Sequence, residues 1–362
     1  MYYDLLDICD FQGGTQPPKD KWIKEPKDGY VRMLQIRDYS QSDDKFIEYV
    51  KDSEQLHKCK KDDVMLSRYG YIGQAFMGLE GAYNVALVKV IKKNSVNTKY
   101  LYYYFKSNVF KHYLLSNVGA RATIPGFNKS ELKDAKIDIK PLDEQIQIVK
   151  ILERCEDIIN KLNKEIEDFD LLIKARFVEM FGDPKNNPLN FPIFMLKDTC
   201  KVITGNTPSR KIKDYYGDYI EWIKTDNIIP EKKYPTQANE YLSEKGIRFG
   251  RTVDKDSVLM ACIAGSVSSI GKVCITDRKL AFNQQINAVV PKKYNVLFLY
   301  TIFQMSKDYL VEDINMSLKG ILSKSKLEEK KFILPPIELQ QQFADFVKQV
   351  DKSKFIQMNS TI

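Results

Sequence analysis

Residues 127–149 read FNKSELKDAKIDIKPLDEQIQIV, and residues 322–344 read LSKSKLEEKKFILPPIELQQQFA. The two align without gaps, 195 residues apart. Lys129 falls on Lys324, Ser130 on Ser325, Leu132 on Leu327, Pro141 on Pro336, Gln145 on Gln340 and Gln147 on Gln342. Both run from a short apolar strand through proline into a helix start with an acidic residue and glutamines. Self-similarity at a fixed separation marks a duplicated unit, and it decides the organisation of the chain.

Shorter matches continue the pattern upstream. Gly14-Thr15-Gln16-Pro17 resembles Gly205-Asn206-Thr207-Pro208, and Tyr30-Val31-Arg32-Met33-Leu34 resembles Tyr219-Ile220-Glu221-Trp222-Ile223. Lys61-Asp62-Asp63-Val64-Met65-Leu66 resembles Lys255-Asp256-Ser257-Val258-Leu259-Met260, and Ala82-Tyr83-Asn84 resembles Ala281-Phe282-Asn283. The separations drift between 189 and 199 residues, so loops of unequal length part the matched pieces. One scaffold carrying divergent loops has this form. Each copy opens with short β-branched and aromatic runs broken by Gly, Pro and Asn, and closes with a helix. The expected fold is α+β, built twice.

After the first copy, Pro141 sets a helix start, with Asp143 and Glu144 where the helix dipole favours negative charge. Ile148, Leu152, Cys155, Ile159, Leu162, Ile166, Phe169, Ile173, Phe177 and Met180 then recur at steps of three and four, close to a heptad seam. Such a helix is about 55–60 Å long and must bury its stripe on a partner. Phe181-Gly182-Asp183-Pro184 ends it with a glycine stop and a proline. A second helix starts near Ile337, where Phe343, Val347 and Val350 fall on Ile148, Leu152 and Cys155. The duplication favours an antiparallel pair over a single long core helix. The second seam turns polar at Lys354 and Gln357, and the counterpart of Phe181 would be residue 376, past Ile362. The second helix is therefore expected to be shortened.

With 362 residues the chain is long enough for two ordinary domains, and 43% hydrophobic content is that of a globular chain. A net charge of +8 is a mild excess that suits a polyanionic partner, although many enzymes share it. The 21 Tyr suit contact surfaces as well as sheet cores. Six cysteines, Cys9, Cys59, Cys155, Cys200, Cys262 and Cys274, show no C-x-x-C spacing, and there are two His. No metal site is expected, and the thiols read as small buried hydrophobes. No signal peptide opens the chain and no apolar run has bilayer length. The expected location is the cytoplasm, with reduced thiols and no membrane partner.

Four pieces, in this order and with this duplication, resemble the specificity subunits of type I restriction–modification systems. They are Gly205-Asn206-Thr207-Pro208-Ser209, Tyr219 to Lys224, Leu334-Pro335-Pro336 before a Gln-rich helix, and Arg176-Phe177 through Phe181-Gly182-Asp183-Pro184. The resemblance covers essentially the whole chain. It implies a target recognition domain over 1–140, a long spacer and dimerisation helix over 141–182, a second recognition domain over 183–336 and a shortened spacer helix over 337–362. It also implies an approximate two-fold relation between the domains, an antiparallel coiled coil between the helices, and recognition of a bipartite target in double-stranded DNA. Two methylation subunits and the restriction subunits would be the protein partners, giving N6-methyladenine or cleavage. S-adenosylmethionine, ATP and Mg would bind those partners and not this chain.

Base edges are read by Arg or Lys on guanine, Asn or Gln on adenine, and Asp or Glu on cytosine; phosphates take cations, hydroxyls and backbone N–H groups. In the first copy the candidates for DNA contact are Lys19, Lys21, Gln35, Arg37, Ser67, Arg68, Tyr69, Tyr71 and Arg121. In the second they are Thr207, Ser209, Arg210, Lys211, Lys224, Thr225, Asp226, Asn227, Ser266, Ser268, Ser269, Gln284, Gln285 and Lys319. Each also reads as an ordinary solvated loop residue. Asn84 and Asn283 match between copies and point to a shared turn, whereas positions that differ, such as Arg68 against Cys262, are better suited to half-site choice.

No catalytic residues are expected. An adenine methyltransferase needs Asn/Asp-Pro-Pro-aromatic, but Pro17-Pro18 is followed by Lys19 and Pro335-Pro336 by Ile337. GSVSSIGK at 265–272 has one residue too many for a phosphate loop and Val273 where Ser or Thr is needed. Asp226, Glu231 and Lys233 could be assembled into a nuclease site, but such spacings arise by chance. Two rival readings stand: a self-sufficient DNA methyltransferase or nuclease, and an incomplete specificity subunit serving as an exchangeable recognition module.

Overall fold

The computed structural model describes residues 1–41, 46–93, 95–118, 126–312, 314 and 320–359. Its contacts fall into two compact units, Met1–Asn160 and Lys161–Ile362, the division lying within the helix Leu142–Phe181.

In the first unit Tyr2–Asp4 pairs antiparallel with Lys136–Asp138, bringing the two ends of the first copy together. One four-stranded antiparallel sheet has the order Cys9–Gly13, Leu87–Lys92, Met65–Ser67, Ala75–Phe76. A second has the order Tyr49–Lys51, Tyr30–Leu34, Gly81–Tyr83, Lys58–Cys59. Its central pair is parallel, with Met33 opposite Ala82 and Leu34 opposite Tyr83. Leu101, Phe105, Phe110 and Leu114 of the helices Thr98–Lys106 and Asn108–Asn117 share a buried cluster with Leu66, Val88 and Val90 of the first sheet.

The second unit repeats this plan and adds strands to it, among them Ile263–Ala264 paired with Gly320–Ile321. Ile193–Met195 pairs with Lys331–Ile333. The order Cys200–Thr204, Ile286–Pro291, Val258–Ala261, Val273–Ile275 copies the first sheet. The order Tyr241–Leu242, Ile220–Ile223, Leu280–Phe282, Thr252–Val253 copies the second, with Tyr216–Gly217 added at its edge. The parallel pair recurs, Trp222 opposite Ala281 and Ile223 opposite Phe282. Drifting sequence matches thus correspond to one topology with loops of different length.

The aligned glutamines explain how each helix is fastened to its unit. Gln145 accepts from the Asn97 N–H at 2.9 Å and donates to the Lys140 carbonyl at 2.8 Å. Gln340 accepts from the Asn295 N–H at 2.9 Å and donates to the Pro335 carbonyl at 2.8 Å. Both amides are buried, 2% and 0% exposed, so these bonds satisfy groups that water does not reach. Asn97 and Asn295 in turn cap the helices Thr98–Lys106 and Val296–Met305. One amide therefore ties the start of the long helix to the start of a core helix in each unit.

In the second unit the helix pair is antiparallel. The Phe343 ring lies edge-on to Phe177 and Phe181, at 5.5 and 5.7 Å. Further along Ile337–Asn359, Lys354 pairs with Asp170 and Gln357 donates to Glu165. As one number rises the other falls. Phe177, Phe181, Phe343, Val347 and Val350 are buried, and Ile173 packs against the same core. The polar seam positions Lys354 and Gln357 are thus matched by acidic partners.

The expected stripe is not buried along its whole length. Ile148, Leu152, Leu162, Ile166 and Phe169 are half-buried, while Cys155 and Ile159 are exposed. The buried position at that end is Val149. The reason lies in the face the helix turns to its own unit: Glu153 pairs with Lys99, and Glu156 with Lys106 and the Tyr103 hydroxyl. Gln145, Val149, Glu153 and Glu156 form that face, one residue off the predicted stripe. Cys155 is also the exception among the thiols; the other five are buried, and burial pushes Cys9, Cys262 and Cys274 up to about 12.

Gln340→Ala removes both bonds of a buried amide and orphans the Asn295 N–H. The expected loss is about 1–3 kcal/mol, read as a lower thermal unfolding midpoint. An unchanged midpoint would show that the clamp is not stabilising.

Candidate nucleic-acid interface

In each unit the loop after the first long strand presses its glycine against a turn. Gly14 donates to the Leu87 carbonyl at 3.2 Å, and Gly205 to the Ile286 carbonyl at 3.0 Å. A Cβ at Gly14 would lie 2.1 Å from the Asn84 carbonyl oxygen, and one at Gly205 the same distance from that of Asn283. Only glycine fits so close an approach. Asn84 and Asn283 shape these turns by accepting from the Ala86 and Gln285 N–H groups, both at 3.1 Å. They are turn formers, as their match between copies suggests.

The loops then carry a cation onto an aromatic ring. The Lys19 ammonium lies 3.7 Å from the Trp22 ring centroid, and the Trp22 indole donates to the Pro17 carbonyl at 3.1 Å. The Arg210 guanidinium lies 4.4 Å from the Tyr216 centroid and 5.0 Å from that of Trp222, whose indole donates to the Asn206 carbonyl at 3.3 Å. Trp22 and Trp222 are the only tryptophans in the chain, and each lies beneath a loop cation.

One carboxylate in each unit then gathers the candidates. Glu48 takes Lys19 at 2.6 Å, Arg37 at 2.5 Å and the Gln35 amide at 2.9 Å. Glu240 takes Arg210 at 2.6 Å and also pairs with Lys224. Burial pushes the Glu48 carboxyl up most strongly. The hydrogen bonds from Lys19 and Gln35 and the charges of Lys19 and Arg37 together outweigh it and hold it below the ordinary range. The Arg210 guanidinium beside it, then the hydrogen bond from Lys224, holds Glu240 down against a smaller effect of burial. Both carboxylates are therefore ionised at neutral pH, and the cations around them are held in fixed places.

Sequence reasoning missed Glu48, Glu240, Trp22, Trp222 and Tyr216. A signal was available: Glu48-Tyr49-Val50 and Glu240-Tyr241-Leu242 repeat an acidic-aromatic-aliphatic run 192 residues apart.

The remaining candidates are spread more widely. Lys21, Ser209, Lys211 and Asp226 are exposed, and Thr225 is half-buried. The Asn227 side chain is engaged within its own loop, accepting from the Lys224 N–H at 3.0 Å and donating to Thr236 and Gln237. Thr207 donates to Gln284, and Gln285 accepts from Asn283. Ser266 bonds to both Ser268 and Ser269 at 3.0 Å. Tyr71 is 81% exposed. Arg68 lies over the half-buried Tyr69 and donates to the Phe127 carbonyl and to Asn128. Ser67 departs from expectation. It is wholly buried, its hydroxyl donating to the Tyr71 carbonyl and accepting from the Gln74 N–H, so it holds the loop rather than facing a ligand. Arg121 and Lys319 lie outside the described residues. Among the described residues no group of three or more His, Cys, Asp or Glu is placed to hold a metal ion, and no helix is long and apolar enough to cross a membrane.

The sequence matches the type I restriction modification DNA specificity domain over residues 1–168 and 188–362. It is 22% identical over 300 residues to the type I restriction enzyme MjaVIII specificity subunit of Methanocaldococcus jannaschii, covering 77% of this chain and 69% of that one. It is 23% identical to the MjaIX specificity subunit of the same organism, over 73% of this chain and 65% of that one. The fold is similar to that of the crystal structure of the type I restriction–modification system S subunit from M. genitalium. The TM-score is 0.55 at 13% identity, covering 99% of this chain and 91% of that one. A chain from a structural study of complex assembly in the type I system gives 0.54 at 16% identity, over 99% and 93%.

Because Glu240 is held below its ordinary 4.5 in the folded protein, its contribution to stability is present above that value and is lost as pH falls through the lowered one. Emission from Trp222 should stay level from neutral pH down to about 4.5 and change only below it. In Glu240→Gln, measured on a Trp22→Phe background, that acid step should disappear. A step that persists would assign it to another group.

Proposed function

We propose that this chain, a member of the family of type I restriction–modification specificity proteins, reads a bipartite DNA target, one half with each unit. The observation that carries this reading is the repeated cluster, Lys19, Gln35 and Arg37 on Glu48 and Arg210 with Lys224 on Glu240. Ammonium, guanidinium and amide donors on an aromatic platform suit phosphates and base edges. A split target needs two readers, and one scaffold built twice with different loop residues supplies two different ones. The helix Leu142–Phe181 suits the role of spacer, since a helix is stiffer than a flexible linker.

On this reading the chain contributes recognition and no chemistry. Methylation subunits, two per complex, dock on it and carry S-adenosylmethionine, and restriction subunits bring ATP and Mg. Exposed apolar side chains on the long helix, Ile151, Ile159, Leu171 and Leu172, offer surface for such docking.

The test is co-expression with the methylation subunit of the same genome, followed by modified-base sequencing of host DNA. The expected result is N6-methyladenine at one split motif, lost when this chain is omitted. Methylation of the same motif without the chain, or a stable complex that modifies no motif, would overturn the reading.

A further inference from the structure

Glu48 and Glu240 occupy the same place in the two units although the loops around them differ in length. The Glu48 carbonyl accepts from the Met33 N–H at 2.8 Å, and that of Glu240 from the Trp222 N–H at 3.0 Å. Met33 and Trp222 are equivalent, each being the first residue of the parallel pairing, opposite Ala82 and Ala281. Lys19 and Arg210 each stand five residues beyond the close-packed Gly14 and Gly205. Gln35 and Lys224 each follow the strand that carries the parallel pair. The carboxylate is thus the constant of the arrangement. Its clients are the variables: Lys19, Gln35 and Arg37 in one unit, Arg210 and Lys224 in the other.

We infer that Glu48 and Glu240 are positioning residues that determine base discrimination, each in the half-site read by its own unit. The inference rests on the DNA-reading function proposed above. Its physical basis is orientation. A lone lysine or arginine on a loop samples many rotamers and finds phosphate as readily as a base. Arg210, pinned at one edge by Glu240 and stacked on Tyr216 and Trp222, presents its remaining N–H donors in a fixed plane. A guanidinium in a fixed plane can meet guanine O6 and N7 as a pair. The same carboxylate holds Lys224 beside it, so two donors of unlike shape keep a set separation. In the first unit Glu48 sets Lys19, Arg37 and the Gln35 amide against one another, a different donor pattern and hence a different half-site.

The experiment uses the full chain in complex with its methylation subunit, and duplexes carrying the wild-type target or single-base changes in either half. The readout is the ratio of affinities for correct and changed duplexes. Glu240→Gln keeps the side-chain shape and removes the charge. It should cut discrimination about tenfold at one or more positions of one half-site and leave the other half intact. Glu48→Gln should do the same to the opposite half. In an Arg210→Ala, Lys224→Ala background, Glu240→Gln should add no further loss, because it acts through those side chains. Three results would overturn the assignment: full discrimination in both variants, uniformly weaker binding with unchanged ratios, or loss in both halves together. The first and third would mean no specific role or a general fold effect, and the second would mean phosphate anchoring alone. A wild-type complex without any target would instead end the DNA-reading function, and this inference with it.

Discussion

The arrangement of each unit depends on a single buried glutamine. Gln145 and Gln340 stand in the first turn of the helices that close the two copies, and each spends its carbonyl and its amide on backbone groups. The net value of such a bond is modest, but the cost of leaving its partner unpaired in the core is larger. Asn97 and Asn295 lie at the N-termini of core helices, so the amide fixes the direction in which the long helix leaves its unit. The strand pairs Tyr2–Asp4 with Lys136–Asp138, and Ile193–Met195 with Lys331–Ile333, draw the chain to that point.

From this base the sheets set the clusters of cations around Glu48 and Glu240. The parallel pair at the centre of the second sheet fixes the ends of its strands, and the glycines at 14 and 205 let the neighbouring loop lie directly on the adjoining turn. A loop pressed down in this way brings its cation over a tryptophan and within reach of the carboxylate that precedes the strand flanking the parallel pair. Rigidity at the backbone and variety at the side chains are thereby separated. The scaffold tolerates different loop lengths because only its contact points are shared.

The long helix serves two surroundings with one sequence. In the second unit its end is aromatic, and Phe177 and Phe181 pack on Phe298 and Phe343. Its beginning meets the first unit through Glu153 and Glu156, which answer Lys99, Lys106 and Tyr103. An α-helix advances 3.6 residues per turn while the apolar stripe advances 3.5, so the stripe drifts around the helix over its length. A seam read as continuous in sequence is therefore buried at Phe177 but exposed at Cys155 and Ile159.

The duplication, the α+β class, the two helices and the glycine stop at Gly182 were legible in the sequence, because periodicity, proline and glycine act locally and leave a local record. The loops that carry candidate contacts were legible for the same reason. Tertiary structure alone decided which of those residues meet. That Lys19, Gln35 and Arg37 share Glu48, and that Arg210 and Lys224 share Glu240, follows from strand pairings between segments well apart in the chain. Burial too was decided there: Ser67 turned inward to hold its loop, and Val149 replaced its neighbours as the buried position. Sequence spacing records which side chains lie on one face of one element. Which element that face meets depends on the packing of the rest of the chain.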